Sequence, residues 1–309
     1  MRITVLSGRH EHRARPGVGF HVRDLRRAAL ARGHAFVCQP WQALGASVLP
    51  GGARPQAARA GDVLLDDADA VLLRTMPAGS LEQVVFRMDV LLQLAARGVK
   101  VVNPPRSIEL AVDKYLALSR MAASGVPTPA TSVCQRAVDA MLAFDALGGD
   151  VVVKPLFGAE GFGLARIDQR DVAARTFHTL ERTGCVIYVQ QYIDHGGSDV
   201  RLFILGDAVI AAMRRHVDGD DWRTNIARGG RAEAVEPDER LCDIALRAAR
   251  ACGTLVAGVD IVVDRAGEPY VLEANAIPGW RGLARTTGID IAQRIISFVE
   301  QHAQGAVHA

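Results

Sequence analysis

Two stretches of the chain carry the side chains suited to polyphosphate and metal chemistry. Lys154 closes the run VVVK and is followed, three residues on, by Gly158-Ala159-Glu160-Gly161-Phe162-Gly163. A lysine leaving an apolar strand beside a glycine-rich loop is a phosphate-binding arrangement. The glycines let backbone N–H groups approach anionic oxygens, and the lysine supplies a point charge. No GK[ST] follows, which excludes a Walker A loop. Residues 163–167 read as a strand and not a helix, which excludes the dinucleotide fingerprint. A glycine hairpin beside a solvated lysine is the plainer alternative.

The second stretch is the pair AGVDIVVD and VLEAN. Glu273 and Asn275 are two apart and share a face if 270–275 is a strand. A four-residue turn at 265–268 sets Asp264 opposite Pro269, Val262 opposite Val271 and Asp260 opposite Glu273. Asp260, Glu273 and Asn275 then converge as three oxygen ligands. Two facing carboxylates repel unless a cation lies between them, and this set suits Mg²⁺ completed by phosphates and water. Removing either carboxylate should relieve repulsion, so stability without Mg²⁺ should hold or rise. The plain alternative is a wet sheet face.

Arginines gather between the two stretches: Arg201, Arg214, Arg215 and, in DDWRTNIARGG, Arg223 with Asn225. Guanidinium forks suit phosphate and carboxylate oxygens, although each could equally lie on a solvated edge. Asp218, Asp220 and Asp221 read as solvated. His10-Glu11-His12 lacks the helical HExxH spacing and reads as surface loop. The five cysteines are an odd number with no CxxC, which argues against a disulfide framework and fits a reducing cytosol.

The wider chain must place these groups. Lysine plus arginine is 36 and aspartate plus glutamate 34, so bulk charge gives no case for nucleic acid or an anionic membrane. No apolar run reaches the roughly 18–20 residues of a membrane span, and the first residues read as a strand rather than a secretory signal. Strands at 2–6, 34–38, 70–74 and 99–102, with helices at 18–32 and 80–97, form a parallel α/β layer that ends at Asn103-Pro104-Pro105. Residues 42–61 read as a long loop. A helix at 107–124 follows, then strands at 130–134, 150–154, 163–167 and 186–193 with helices at 136–147 and 171–183. The third region has strands at 199–206, 208–215, 256–264 and 270–275, a polar stretch at 216–236, and helices at 238–252 and 288–303.

The order of these motifs resembles the ATP-grasp superfamily, and within it the RimK-type amino-acid ligases. The resemblance rests on Lys114, Lys154 with its glycine loop, the strand VQQYI, Asp199-Val200-Arg201, Arg223-Thr224-Asn225 with Gly229-Gly230, Glu273-Ala274-Asn275 with Pro278-Gly279, and Thr287-Gly288-Ile289-Asp290-Ile291-Ala292. It covers residues 105–300. It implies an α/β (α+β) fold with a pre-ATP-grasp domain at 1–105, a central lobe at 106–193 and a C-terminal lobe at 194–309. It also implies that Lys114 and Lys154, with Gly158, Gly161 and Gly163, contact ATP phosphates, and that Gln191 and Tyr192 lie against adenine through hinge hydrogen bonds from the backbone. Asp199 would hold the ribose. Arg223 and Asn225 would meet the phosphate end, and Arg223, Arg215 and Lys154 would serve catalysis. Asp260, Glu273 and Asn275 would hold two Mg²⁺ or Mn²⁺ ions, in agreement with the register derived from the residues.

The activity implied is ATP-dependent carboxylate–amine ligation through an acyl phosphate, joining an amino acid such as glutamate to a carboxylate and releasing ADP and phosphate. The alternatives are a non-catalytic nucleotide-binding module and a ligase acting on a protein tail. A nicotinamide oxidoreductase is disfavoured, because the first strand is followed by SGRHEHRARPGVGF and no compact GxGxxG. Trp280 and Arg281, with Arg13, Arg15, Arg23, Arg26 and Arg27, suggest a cationic aromatic pocket for a flat anionic small molecule. Expected partners are ATP, the amino acid, the small carboxylate and a second copy of the chain, in the cytoplasm, without nucleic acid or membrane.

Overall fold

The computed structural model describes residues 1–8, 19–52, 55–158, 163–217, 222 and 231–304. Arg223, Asn225, Gly161, Arg13, Arg15, the aspartates of 218–221, His10 to His12 and Gly229-Gly230 lie outside the described residues.

The chain opens with β1 (Arg2–Ser7), α1 (Phe20–Ala31) and β2 (Ala35–Pro40). The stretch expected to be a loop instead holds β3 (Leu44–Val48), β4 (Gln56–Ala60) and β5 (Val63–Leu64), a small antiparallel sheet. Its short alanine- and glycine-rich strands lack the β-branched runs that mark strands in sequence. Then come β6 (Ala70–Leu73), α2 (Leu81–Ala96) and β7 (Lys100–Val102). β2, β1, β6 and β7 pair in that order, all parallel. Ser80 caps α2 in a reciprocal capping box with Gln83, as its position before the helical pattern predicts.

The single helix expected over 107–124 is two: α3 (Pro105–Val112) and α4 (Lys114–Ala123). Asp113 divides them. Its backbone is extended, and its Oδ1 accepts the N–H groups of Tyr115 at 2.9 Å and Leu116 at 3.0 Å. A local aspartate competes with helical hydrogen bonding in this way and starts a new helix at Lys114. The central sheet follows with β8 (Thr131–Cys134), α5 (Ala137–Ala146), β9 (Val151–Lys154), β10 (Ala165–Ile167), α6 (Arg170–Arg182) and β11 (Ile187–Gln191). It is antiparallel, in the order β10-β9-β11-β8, with α5 and α6 covering its apolar face.

The last sheet contains β12 (Ser198–Leu205), β13 (Ala208–His216), β14 (Arg231–Ala234), β15 (Val256–Val263) and β16 (Pro269–Asn275). Its order is β14-β13-β12-β15-β16, antiparallel throughout. α7 (Glu239–Ala251) precedes β15, while α8 (Arg281–Thr287) and α9 (Ile291–Gln304) close the chain. α8 falls in a stretch the sequence left unassigned, and α9 starts three residues later than expected. Gly288, at φ 73°, ends α8 in the left-handed conformation.

Alternation on β12 divides the sheet's two faces. Val200, Leu202 and Ile204 join a core with α4 and α7, whereas Phe203 and Leu205 join a core with α1, α8 and α9. The second core fuses the N-terminal domain to the last lobe. Trp280 sits in it at 1% exposure, edge-on to His21 and Phe203, and donates Nε1 to Asp24 at 2.9 Å. The ring is therefore structural, which corrects its expected place in a substrate pocket. A tryptophan beside an exposed arginine cannot be told from a buried one by type alone. Arg281 is exposed near the Phe20 ring, and Arg27 is paired with Asp24 and Asp290.

Trp280→Ala should destabilise the protein by about 3–5 kcal/mol, the range for emptying a fully buried aromatic site. Denaturant unfolding of the variant beside the parent checks this.

Candidate active site

The charged side chains form a row across one face of the last sheet, each opposite the next in register. Asp199 on β12 faces Arg215 on β13, Arg201 on β12 faces Asp260 on β15, and Asp260 faces Glu273 on β16. Arg201 holds Asp260 bidentately, with Nε and Nη2 each at 2.6 Å. Arg215 donates to both oxygens of Asp199 and reaches Asp260 Oδ2 at 2.9 Å. Arg201 also lies 3.7 Å from Glu273. Beside it, Gly258 makes room for Pro278: a Cβ there would stand 3.0 Å from Pro278 Cβ.

The expected opposition of Asp260 and Glu273 is present, but by a different route. Val263, not Asp264, pairs with Pro269, because Asp264 folds the turn by accepting the N–H groups of Ala266 and Glu268 at 2.8 Å. Ile261 then pairs with Val271, and a bulge leaves Leu272 over before Asp260 meets Glu273. The bulge lets Val271 and Ala274 both enter the core while Glu273 faces the site.

The two carboxylates are shifted in opposite directions. Burial alone would raise the Asp260 pKa, but Arg201 and Arg215 hold it well below the usual carboxylate range. Burial, then the neighbouring Asp260, pushes the Glu273 carboxyl above its usual range. Glu273 has no hydrogen bond among the described residues, only Arg201 at 3.7 Å. Two lysines lie within its electrostatic reach. Lys154 ends β9 and donates to Gln190 Oε1 at 2.6 Å, and burial lowers its pKa to about 8. Lys114, the first residue of α4, donates to Gly158 O at 2.8 Å, and burial lowers its pKa as well. Gly158 and Gly163 both have positive φ, and a Cβ on either would press against Pro155 at 3.3 Å.

The donor set fits a hard divalent cation. Glu273 offers both oxygens. Asp260 Oδ1 accepts one N–H and keeps a lone pair. Asn275 Oδ1 accepts the Ile277 N–H at 2.8 Å and has a second acceptor position. No cluster of three His, Cys, Asp or Glu side chains occurs among the described residues, so any such ion relies on phosphates or water for the rest of its shell.

Other expected residues take different positions. Asp199, expected to hold a ribose, is 3% exposed with both oxygens engaged by Arg215. Arg215 is buried in the same pair, whereas Arg201 is the guanidinium at the open side. At the hinge, the N–H groups of Gln191 and Tyr192 are taken by the carbonyls of Ala130 and Asp150. The Tyr192 ring lies under the Arg166 guanidinium at 3.6 Å. Sequence reading missed Gln190, which is 2% exposed and links Lys154 to Thr131. Alternation along β11 was the available signal, since Gln190 points opposite to the core residue Val189. Burial raises the Cys242 thiol pKa, and raises that of Cys252 to about 11.

The two carboxylates should part company on mutation. A depressed carboxylate pKa contributes stability above its unfolded value that is lost as pH falls; a raised one penalises the fold as pH climbs through it. Asp260→Asn removes a partner from two buried guanidiniums and should cost about 3–5 kcal/mol. Glu273→Gln should melt at or above the parent at neutral pH without metal. This revises the expectation that both substitutions are harmless, and thermal unfolding in chelator checks it.

The chain as a whole is similar to known proteins. A model of the RimK-like ATP-grasp domain matches residues 111–299. The chain is 39% identical over 180 residues to a probable alpha-L-glutamate ligase 1 of Shewanella frigidimarina, covering 57% of this chain and 59% of that one. It is 40% identical over 184 residues to the tetrahydromethanopterin:alpha-L-glutamate ligase of Methanococcus maripaludis, covering 58% and 62%. The matches thus span less than two thirds of these relatives' length. In fold, the chain resembles the ATP-grasp ligase PsnB, solved with a minimal precursor, Mg and ADP, at a TM-score of 0.75 and 22% identity over 97% of both chains.

Proposed function

The chain belongs to the RimK-like ATP-grasp family, and on that premise we propose that it is an ATP-dependent carboxylate–amine ligase. The observation that carries the reading is the convergence of Lys114, Lys154 and Arg201 on the open carboxylate of Glu273, beside Asp260. Cations exceed carboxylates there, counting Arg215 and Asp199, which favours a polyanion. Among the described residues no helix is long and apolar enough to cross a membrane.

In this reading the acceptor carboxylate attacks the γ-phosphorus of ATP, the bond to ADP breaks, and an acyl phosphate forms. The amino group of an amino acid then attacks the acyl carbon and phosphate leaves, giving an amide. Lys154 and Lys114 hold phosphate oxygens, and Arg201 faces the transferred group, where charge develops. Asp260, Glu273 and Asn275 would hold Mg²⁺ through their free oxygen lone pairs. When bound, Mg²⁺ neutralises phosphate charge and orients the γ-group. Glutamate is the proposed amino acid, by likeness to the glutamate ligases. With Trp280 buried, no stacking surface favours a flat acceptor, so the acceptor is proposed only as a carboxylate.

Hydroxylamine trapping tests the chemistry. With Mg²⁺, ATP and the right carboxylate, the parent should form a hydroxamate and ADP in equal amounts, and Glu273→Gln should not. ATP binding without ADP formation across a panel of peptide and small carboxylates would favour a non-catalytic nucleotide module.

The state of Lys154 gives a second test. Only the ammonium form neutralises phosphate, so ATP affinity should fall as pH rises above about 8. Lys154→Met should weaken ATP binding by about 10- to 100-fold, the loss of a hydrogen bond to a charged group. Titration calorimetry from pH 7 to 9 measures both.

A further inference from the structure

The strand pair that carries the metal ligands is gripped at one end by a residue from the N-terminal domain. Asn103 follows β7 and is 2% exposed. Its Nδ2 donates to Val256 O at 2.7 Å and Ala276 O at 2.5 Å, and its Oδ1 accepts from the N–H groups of Leu255 and Val256, both at 2.7 Å. An amide has two donors and two acceptor positions, so every one is used and the orientation of the group is fixed.

These partners lie beside the site. The β15–β16 ladder ends at the pair Gly258–Asn275. Beyond it the Asn103 amide spans from Val256 to Ala276, replacing the next rung. Ala276 adjoins Asn275, whose own side chain accepts from Ile277 N. A shift of residues 276–277 therefore moves Asn275, whereas Lys114, Lys154 and the hinge hang from other segments.

We propose that Asn103 is a positioning residue through which the N-terminal domain sets the metal-binding end of β16. Its consequence for turnover rests on the ligase reading; the contact itself does not. Aspartate at 103 keeps the shape but sets oxygen against two carbonyl oxygens, and serine keeps one short donor.

The test uses the full chain as Asn103→Asp and Asn103→Ser, with Mn²⁺ as a paramagnetic probe in the presence of ADP. Both variants should bind Mn²⁺ about 10- to 100-fold more weakly, the usual effect of losing a group that orients a metal ligand. ADP affinity in chelator should stay within about twofold, since no ADP-facing group moves. In the serine variant, amide hydrogen exchange at Leu255 and Val256, whose acceptor is Asn103, should quicken by about tenfold, the loss of a buried hydrogen bond, and exchange at Ile277 should quicken with it as Asn275 shifts. Unchanged Mn²⁺ affinity, or a parallel loss of Mn²⁺ and ADP binding, would overturn the proposal. A parent that binds no Mn²⁺ with ADP would instead remove the ligase reading. Exchange then decides the contact alone, and unchanged protection at those three amides would remove it. If Asn103→Asp does not fold, the serine variant carries every measurement.

Discussion

Burying Asp260 in the middle of a five-stranded sheet obliges the protein to bury cations with it. A lone carboxylate at 6% exposure would take up a proton rather than stay charged. Arg201 and Arg215 keep it ionised, and Arg215 in turn requires Asp199. Arg215 faces Asp199 and Arg201 faces Asp260 on adjacent strands, and Arg215 reaches across β12 to Asp260, so the network exists only when β13, β12, β15 and β16 lie in this order and register. A slip of one residue would turn the charges into the apolar core under α4 and α7. The row that prepares the site is thus also the row that specifies the sheet.

That arrangement divides labour among the carboxylates. Asp199 and Asp260 are paired within the protein, and among the described residues Glu273 has no hydrogen bond, only Arg201 at 3.7 Å. The lysines come from elsewhere, Lys154 from the central sheet and Lys114 from the start of α4. Gln190 supports Lys154 with a neutral amide, which orients the ammonium without cancelling its charge.

Much of this was legible in the chain. Lys154 leaves a strand of three valines, Glu273 and Asn275 share a face by spacing, and Asp260 was assigned its true partner. The register between them was not legible, because the Asp264 turn and the Leu272 bulge displace the pairing in opposite senses and cancel. Both depend on hydrogen bonds that composition does not display. The roles of Arg201 and Arg215 depend on β12 lying between β13 and β15, a non-local fact. Trp280 was misplaced for the same reason: the faces of His21 and Phe203 that bury it lie far away in sequence.

β16 must serve two faces with one short run of residues. Val271 and Ala274 fill the core, while Glu273 and Asn275 serve the site, and strict alternation cannot place Val271 and Glu273 on opposite sides. The extra residue at Leu272 resolves the conflict at one end by changing the parity of the strand. At the other end the ladder stops at Asn275, where the chain must turn away to build the Pro278-Gly279 segment. There the Asn103 amide supplies the hydrogen bonds that a further rung would have made. β16 is consequently held by two departures from regular pairing, one on each side of Glu273 and Asn275. Regular pairing alone would have given a more uniform sheet and no open carboxylate facing the lysines.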